Sequence, residues 1–379
     1  MIYLISTKRF GEELKKLGFD FYSGVPCSFL KNLINYTTNH CNYLAATNEG
    51  EAVAVAAGAF LAGKKPVVLM QNSGLTNAVS PLVSLNYLFR LPVLGFVSLR
   101  GEPGIPDEPQ HQLMGRITTQ MLDLVEIQWE YLSTDFDEVK KQLLQAYSCI
   151  ESNQPFFFVV KKDTFEKEQL TDSQKRLSKN MFKSERTKAD QVPKRFETLR
   201  LINSLKDVKT VQLTTTGITG REMYEIEDVS NNLYMVGSMG CVSSLGLGLA
   251  LTKKDKDVVV IEGDGALLMR MGNLATNGYY GPPNMLHILL DNNMHESTGG
   301  QSTVSYNINF VDIAAACGYT KSIYVHNLVE LESHIKDWKR EKNLTFLYLK
   351  IAKGSIEGLG RPKMKPHEVK ERLKVFLDG

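Results

Sequence analysis

The sequence of 379 residues has almost no net charge, few cysteines and no apolar run of membrane-spanning length. Its 44 basic residues nearly balance 42 acidic ones, and this balance by itself predicts no nucleic-acid or acidic-membrane partner. Five cysteines without Cys-x-x-Cys spacing, and a beginning without a secretory signal pattern, predict a reducing, cytoplasmic compartment. Apolar stretches such as 52–61 are too short to cross a bilayer. Together with a hydrophobic content of 43%, these features predict an ordinary soluble globular protein.

Two halves of similar pattern make up the chain. The length predicts about two domains, and apolar strands alternate with helical stretches in each half. This alternation predicts an α/β fold with two doubly wound, mostly parallel sheets. Between the halves the sequence becomes polar and rich in lysine, which is typical of a linker. We therefore expect a first domain over 1–165, a linker over 166–194 and a second domain over 195–379.

Gly263-Asp264-Gly265 and the later Asn292 are the most informative residues of the sequence. The runs before Gly263 and before Asn292 read as buried strands, with helix-permissive residues between them. A right-handed strand–helix–strand unit would place both strand ends at one edge of a sheet. Carboxylate and amide oxygens suit Mg²⁺, and glycines let the amides of a helix start approach an anion. The pattern predicts a metal-bound diphosphate, although either half alone is more typical of a simple turn.

A second pattern lies in the first half, where Asn48-Glu49 precedes the small-residue stretch 52–59. In one interpretation Thr47 or Asn48 caps a helix, and Glu49 stabilises its positive end. In the other, the small residues permit tight packing at an interface, and a carboxyl group buried there could share a proton with a ring nitrogen. The residues alone leave both interpretations open.

The spacing of Asp264 and Asn292 matches the thiamine-diphosphate binding motif, and the chain resembles the superfamily of thiamine-diphosphate-dependent decarboxylases. The resemblance implies thiamine diphosphate and Mg²⁺ as cofactors, with Asp264, the Asn292 side chain and the Met294 carbonyl as metal ligands. Asn293 is the alternative if the register differs by one. It also implies a pyrimidine-binding domain followed by a diphosphate-binding domain, without a middle domain. Because the superfamily places the cofactor between subunits, we expect a homodimer or higher homo-oligomer with active sites between subunits.

The resemblance also assigns roles to individual residues. Glu49 would activate the pyrimidine ring of the cofactor. His111 falls where related decarboxylases place a catalytic histidine, although it could instead cap the next helix. The other residues that the resemblance places at the cofactor are Ser73, Gly74, Thr216, Gly217, Ser238, Met239, Gly240, Gly263 and Gly265.

Several strings, among them 24–31, 100–111 and 295–301, resemble the phosphonopyruvate decarboxylase family. That resemblance implies conversion of 3-phosphonopyruvate to phosphonoacetaldehyde and CO₂ in phosphonate biosynthesis. The alternatives are a sulfopyruvate decarboxylase, whose substrate is nearly isosteric, and a non-catalytic diphosphate-binding protein. A substrate with two anionic groups needs cationic or amide donors, although any one arginine could be purely structural. The residues that we expect to bind it are Ser28, Arg100, Arg116, Arg221 and Arg361.

Overall fold

The computed structural model describes residues 4–171, 177–185 and 192–379. The chain divides into two compact units, Met1–Lys175 and Arg176–Gly379, and each is built around one main parallel sheet. The predicted pair of parallel-sheet α/β domains is therefore confirmed. Within the described ranges, no helix is both long enough and apolar enough to span a membrane.

The first unit contains six strands: β1 (Phe21–Gly24), β2 (Asn42–Ala45), β3 (Pro66–Gln71), β4 (Leu94–Ser98), β5 (Gln128–Tyr131) and β6 (Phe156–Val160). They form one parallel sheet in the order β2-β1-β3-β4-β6-β5. The central strands are apolar because both of their faces are covered. The edge strands β2 and β5 are partly exposed and polar, which is why the sequence pattern did not predict them.

The helices of the first unit are α1 (Thr7–Lys16), α2 (Lys31–His40), α3 (Glu49–Leu61), α4 (Asn72–Pro81), α5 (Tyr87–Phe89), α6 (Gln112–Leu124) and α7 (Phe136–Glu151). A π-helical turn, Leu82–Asn86, joins α4 to α5. Every residue of α3 is buried, which explains its alanines and glycines: larger side chains would hold the surrounding elements apart. The predicted helix of small residues is thus confirmed.

Both faces of the first sheet carry an apolar core. Phe156 and Phe158 pack with Phe96 on one face, whereas Phe157 belongs to the cluster on the other face. This division follows from the strand geometry, since successive side chains point to opposite faces. Gly95 lies directly against the Phe157 ring, where a side chain would not fit.

The second unit contains the strands β7 (Phe182–Lys183), β8 (Thr210–Thr214), β9 (Asn232–Tyr234), β10 (Asp257–Gly263), β11 (Met285–Asp291), β12 (Met294–His295), β13 (Gln301–Ser302), β14 (Lys321–Val325) and β15 (Thr345–Lys350). Seven of them form a parallel sheet in the order β7-β14-β15-β11-β10-β8-β9. The two-residue strands β12 and β13 pair antiparallel beside it. The buried strands β10 and β11 are those that the apolar runs before Gly263 and Asn292 predicted.

The helices of the second unit are α8 (Arg195–Ser204), α9 (Ile218–Ile226), α10 (Val242–Thr252), α11 (Asp264–Met269), α12 (Asn273–Tyr280), α13 (Phe310–Ala316), α14 (Leu328–Glu341) and α15 (Pro366–Asp378). Side chains of α8 and α14 pack on one face of the sheet, where Leu199, Ile335 and Trp338 are buried in one core cluster. The helices between consecutive parallel strands provide the crossover connections that a parallel sheet requires, and α15 follows the last strand.

The polar segment 166–194 is attached to both units in its described parts. Asn35 and Asn39 of α2 donate hydrogen bonds to backbone carbonyls of Glu168 and Gln169. Farther along, β7 adds to the edge of the second sheet by pairing with β14. The polar segment therefore contains a short edge strand. This strand needs no apolar run, because only one of its edges is paired.

Candidate active site

The carboxyl ends of β10 and β11 meet at one edge of the second sheet. The two strands are parallel neighbours, and their register pairs Gly263 with Leu290. Asp264 begins α11 directly after β10, and Asn292 follows the end of β11. The predicted strand–helix–strand unit is confirmed, and both polar residues line one cavity.

Asp264 is a buried carboxylate held by hydroxyl groups. Its Oδ2 accepts hydrogen bonds from Ser305 Oγ at 2.8 Å and from Thr303 Oγ1, and the residue is 2% exposed. Burial raises the pKa of Asp264 above its ordinary value, the hydrogen bond from Thr303 opposes that rise, and the nearby Asp291 adds to it. Because hydroxyl groups carry no net positive charge, a cation at this position would offset the cost of burying the carboxylate.

The two consecutive asparagines after β11 have different surroundings. Asn292 lines the cavity, where its Oδ1 accepts a hydrogen bond from the Met294 backbone amide at 3.1 Å. Asn293 instead donates to Ser305 Oγ, and its Oδ1 accepts from Lys350 Nζ. Its φ of 56° is in the left-handed region, which asparagine tolerates better than most residues. The arrangement favours Asn292 over Asn293 as a ligand in the cavity.

The cavity, including its open mouth, has a volume of about 490 Å³. Most of the cofactor residues predicted in the second half line it. They are Thr216, Gly217, Met239, Gly263, Asp264, Gly265, Asn292 and Met294. Gly217 has a φ of 90° at the start of α9, a conformation that other residues rarely adopt. Ser238 and Gly240, two further predicted cofactor residues, lie on either side of Met239 and have left-handed φ angles of 51° and 87°. The turn that they form carries Met239 to the cavity.

A buried ion-pair network that sequence reasoning missed forms part of the cavity wall. Arg195 Nε donates to Glu222 at 2.9 Å, and Arg195 Nη1 lies 2.6 Å from Glu296. Glu296 also accepts a hydrogen bond from the backbone amide of Gly354. Arg195 and Glu296 line the cavity together with Thr215 and His295. Each of these charged residues stands among other polar residues in the sequence, so no pattern distinguishes them as part of a site.

Glu49 begins α3 in the first unit and faces α4. Its Oε2 accepts a hydrogen bond from Asn77 Nδ2 at 2.8 Å, and the residue is 8% exposed. A Cβ on Gly74 would lie 2.5 Å from Glu49 Cγ and closer still to the carboxylate. A glycine at position 74 is therefore required for the close approach of α4 to Glu49. Ser73, the residue beside it, accepts a hydrogen bond from the Gln71 side chain. The structure thus brings Glu49, Ser73 and Gly74 into one group.

The capping interactions of α3 are made by other residues. Asn48 Oδ1 accepts from the Glu51 amide, and Glu51 Oε2 accepts from the backbone amide and hydroxyl of Thr47. This is a reciprocal capping arrangement that leaves the Glu49 carboxylate out. Asn48 is thus the cap, and Glu49 lies in the first turn of α3, where its charge is also favourable at the positive end of the helix.

Ser28 and Arg100 come together in the first unit. Arg100 Nη1 donates to Ser28 Oγ at 2.9 Å, and its Nε and Nη2 donate to Asp107. The Phe29 ring lies 4.8 Å from the guanidinium carbon. The structure therefore joins two of the predicted substrate residues from positions 72 residues apart.

The other three arginines differ from one another. Arg221 lies in α9 and donates to the backbone carbonyls of Leu359 and Gly360, at 2.5 and 2.8 Å. These bonds use its Nε and Nη2 groups and favour a structural role. Arg116 is an exposed residue of α6, and Arg361 is exposed in the segment before α15. The bond to Gly360 brings Arg221 to the residue that precedes Arg361.

His111 is buried at the start of α6. It occupies the position preceding the first helical residue, yet its side chain makes no capping hydrogen bond. Within the described part of the chain, its ring nitrogen Nδ1 is buried without a hydrogen-bond partner. An unsatisfied buried nitrogen is unfavourable by itself, so the simple capping interpretation does not explain this histidine.

The cavity of the second unit fits a diphosphate with a hard cation. One buried carboxylate, one amide side chain and a neighbouring backbone supply oxygen ligands, and Mg²⁺ prefers few protein ligands because phosphate oxygens complete its shell. A Cβ on Gly263 would meet only the Leu290 carbonyl, at 4.0 Å, so this glycine borders open space. Within the described residues no cluster of three or more His, Cys, Asp or Glu forms a metal site, and a diphosphate site needs none.

Comparisons with known proteins agree with this geometry. Residues 7–123 match the family "Thiamine pyrophosphate enzyme, N-terminal TPP binding domain", and residues 214–349 match its C-terminal TPP binding domain. Phosphonopyruvate decarboxylase of Streptomyces viridochromogenes is 39% identical, covering 96% of this chain and 93% of that protein. Its counterpart from Streptomyces hygroscopicus is 38% identical, covering 98% and 94%. Sulfopyruvate decarboxylase of Methanosarcina acetivorans is 29% identical, covering 97% and 96%.

Solved structures share the fold at low identity. Benzoylformate decarboxylase from Polynucleobacter necessarius aligns with a TM-score of 0.72 and 13% identity, over 93% of this chain and 100% of that one. Such identity supports the fold alone, whereas the full-length sequence relatives and the two cofactor-binding domains define the family. The chain belongs to the phosphonopyruvate decarboxylase family of thiamine pyrophosphate enzymes.

Proposed function

We propose that the protein catalyses the decarboxylation of 3-phosphonopyruvate to phosphonoacetaldehyde and CO₂, with thiamine diphosphate and Mg²⁺, in 2-aminoethylphosphonate biosynthesis. One observation carries this proposal: two phosphonopyruvate decarboxylases are 38–39% identical to the chain over nearly its full length. The matched family domains, residues 7–123 and 214–349, include the segments that carry Glu49, Asp264 and the Ser28–Arg100 pair. The five free cysteines support the reducing, cytoplasmic compartment that we propose for it.

Asp264, the Asn292 side chain and the Met294 carbonyl would bind the metal, and the cavity that they line would hold the diphosphate. Bound thiamine diphosphate supplies the electrophilic centre that accepts the electron pair released when CO₂ leaves. Gly217 and Gly263 leave room for phosphate oxygens beside backbone amides, whereas Gly265 permits the close approach of the His295 ring. In this proposal the second unit binds the diphosphate of the cofactor, together with the metal that compensates its charge.

Glu49 would hold a proton at the pyrimidine ring nitrogen of the cofactor. The hydrogen bond from Asn77 orients its carboxylate, and Gly74 permits the close approach of α4. Its burial keeps water from competing for the same proton. Because Glu51 is already used in capping α3, Glu49 is the better candidate of the two.

The substrate would be bound by Ser28 and Arg100, with His111 as a further polar group. The guanidinium and the hydroxyl can both donate to an anionic oxygen. His111 would supply or accept a proton through its unpartnered ring nitrogen. Arg116 and Arg361 are exposed and remain proposed substrate ligands, whereas the carbonyl partners of Arg221 support a structural role.

Decarboxylation of sulfopyruvate is the second candidate function. It is favoured by a full-length sulfopyruvate decarboxylase relative at 29% identity and by a beta subunit of that enzyme at 39% over 159 residues. The two substrates differ in the charge of the distal group, since a phosphonate carries up to two negative charges and a sulfonate carries one. Comparing kcat/KM for the two substrates on the same preparation decides between them.

We also propose a homodimer or larger homo-oligomer, with each active site formed between subunits. This part rests on the resemblance to the superfamily. Mixing Glu49→Gln and Asp264→Ala variants tests it, because mixed dimers would contain one site with both residues intact. Recovery of activity in the mixture, above that of either variant alone, supports sites between subunits. A mixture as inactive as its components, with exchange of subunits verified, contradicts it.

The central experiment measures CO₂ and aldehyde formation by the purified protein from phosphonopyruvate. We expect turnover with thiamine diphosphate and Mg²⁺, and its loss when EDTA removes the metal or when the cofactor is omitted. Sulfopyruvate and pyruvate serve as comparison substrates at equal concentrations. Preferential turnover of sulfopyruvate would replace the proposal by its alternative, and no turnover of any 2-oxo acid would reject both.

A further inference from the structure

The loop 100–111, which connects β4 to α6, is closed on itself at its base. A Cβ on Gly101 would collide with the carbonyl group of His111, and a Cβ on Gly115 would collide with the carbonyl group of Gly101. The two ends of the loop are therefore packed backbone against backbone, as in a compact Ω-loop. Because Arg100 stands at one end and His111 at the other, the loop connects two of the proposed active-site residues.

Asp107 is the anchor inside this loop. Its carboxylate accepts hydrogen bonds from Arg100 Nε at 2.7 Å and from Arg100 Nη2, and it also accepts from the amides of Gly101 at 2.9 Å and Glu108 at 2.8 Å. The hydrogen bond from Arg100 holds the pKa of Asp107 well below its usual range, so the group stays ionised. Its side chain is only 8% exposed, which reduces competition from water.

These contacts fix the orientation of the Arg100 guanidinium. Asp107 binds its Nε and Nη2 side, the Phe29 ring covers one face, and Ser28 Oγ accepts from Nη1. Three of the five N–H donors of the arginine are thus used, and the remaining two are on Nη1 and Nη2. Within the described residues the Ser28 hydroxyl proton also has no partner. Three donors therefore lie together at one corner of the first unit, and Asp107 fixes the orientation of the two that belong to Arg100.

We propose that Asp107 is a positioning residue that holds Arg100 so that its guanidinium and the Ser28 hydroxyl bind the distal phosphonate group of the substrate. The inference rests on the proposed function, because it concerns the recognition of that substrate. Asp107 acts through Arg100 and does not touch the substrate itself. The same carboxylate joins the start of the loop to its middle, through the amides of Gly101 and Glu108.

Asp107 would aid substrate binding because it preorganises the Arg100 side chain. A free arginine side chain samples many rotamers, and binding an anion with it has an entropic cost. A bidentate carboxylate removes that freedom before the substrate arrives, without using the donors that the substrate needs. The carboxylate also has a cost, because its negative charge is near a dianionic ligand. The proposal requires that the orientation effect exceeds this repulsion, and the experiment measures their balance.

The test compares Asp107→Asn with wild type. Asparagine keeps the size, but its single oxygen can accept from only one of the two backbone amides, which bond to different carboxylate oxygens, and it cannot accept two hydrogen bonds from the guanidinium in the same fork. We expect KM for phosphonopyruvate to rise about tenfold, the loss typical of one charge-assisted hydrogen bond, while kcat changes by less than about threefold. The dissociation constant of the unreactive analogue 3-phosphonopropionate, followed by ³¹P NMR, should rise by the same factor.

Two controls separate positioning from general loosening of the loop. 2-Oxobutyrate lacks the distal anion, so its inhibition constant should be the same in both proteins. Glu102, in the same loop, forms an ion pair with Lys161 and not with Arg100. The KM of Glu102→Gln should therefore remain near the wild-type value. Asp107→Glu, which keeps the carboxylate, should recover part of the loss. If Asp107→Asn does not fold, Asp107→Ser supplies the same comparison, because serine is smaller and lacks the carboxylate that fixes the guanidinium.

Three results would overturn the inference. An equal rise in KM for Glu102→Gln and Asp107→Asn would indicate a purely structural loop. A matching rise in the inhibition constant of 2-oxobutyrate would indicate a general change of the site. A lower KM in Asp107→Asn would mean that repulsion dominates. A failure of the proposed function is distinguishable, because it would appear as absent turnover in the wild-type protein, whatever the analogue affinities of the variants.

Discussion

The position of Glu49 depends on the absence of one methyl group at Gly74. In Gly74→Ala the new Cβ would lie 2.5 Å from Glu49 Cγ and closer to the carboxylate, whereas ordinary contacts begin at 3.4 Å. The carboxylate must therefore move by about 1 Å, and a displacement of that size can reduce catalysis about 100-fold. We expect kcat to fall by about this factor, although no charge or hydrogen-bonding group has been removed.

The same substitution should leave the protein folded. Alanine inside a helix is favoured over glycine by about 1 kcal/mol, while overpacking costs about 1–3 kcal/mol, so the two effects partly cancel. The remaining cost is small against a stability of about 5–15 kcal/mol for a typical domain. Thermal unfolding measured beside activity therefore separates displacement of Glu49 from loss of the fold.

The decisive assay is hydrogen–deuterium exchange at C2 of bound thiamine diphosphate, quenched and followed by NMR. This exchange reports the activation of the cofactor independently of the substrate. Ser80→Ala, an exposed substitution on the same helix α4, serves as the matched control and should exchange normally. Wild-type exchange and kcat in Gly74→Ala, with the alanine verified, would refute the argument that Glu49 activates the cofactor from this position.

Other predictions follow from single contacts. Glu49→Gln should lower kcat and the rate of C2 exchange by orders of magnitude, with little change in cofactor affinity. A normal rate of C2 exchange in this variant would indicate a structural role for Glu49. In Glu51→Gln the cofactor should exchange at the normal rate. Asp264→Ala should abolish cofactor binding in calorimetry, and unchanged affinity would locate the metal elsewhere. Although burial alone would raise the pKa of Asp207, the hydrogen bond from Lys339 lowers it from 3.8 to about 2. Its stabilising contribution is therefore present above about pH 4 and lost towards pH 2, so the difference in Tm between wild type and Asp207→Asn should vanish over that range; a constant difference would contradict this.

Much of the fold could be predicted from the sequence because of how buried parallel strands are built. Strands covered on both faces are continuous apolar runs, so β3, β6, β10 and β11 are visible without a structure. The edge strands β2 and β5 are partly exposed, and their polar residues resemble loops. The convergence of Asp264 and Asn292 was predictable for the same reason, since the topology of one strand–helix–strand unit determines it.

What only the tertiary structure decided is the set of partners of each polar side chain. Asn292 and Asn293 are adjacent in sequence, yet one lines the cavity and the other binds Lys350, because their directions depend on the turn after β11. Arg100 and Arg221 both stand beside a glycine. Arg100 meets Asp107, seven residues away, whereas Arg221 meets carbonyl groups 138 and 139 residues away. Periodicity encodes burial, which is a property of one segment, whereas hydrogen-bond partners depend on segments that only the folded chain brings together.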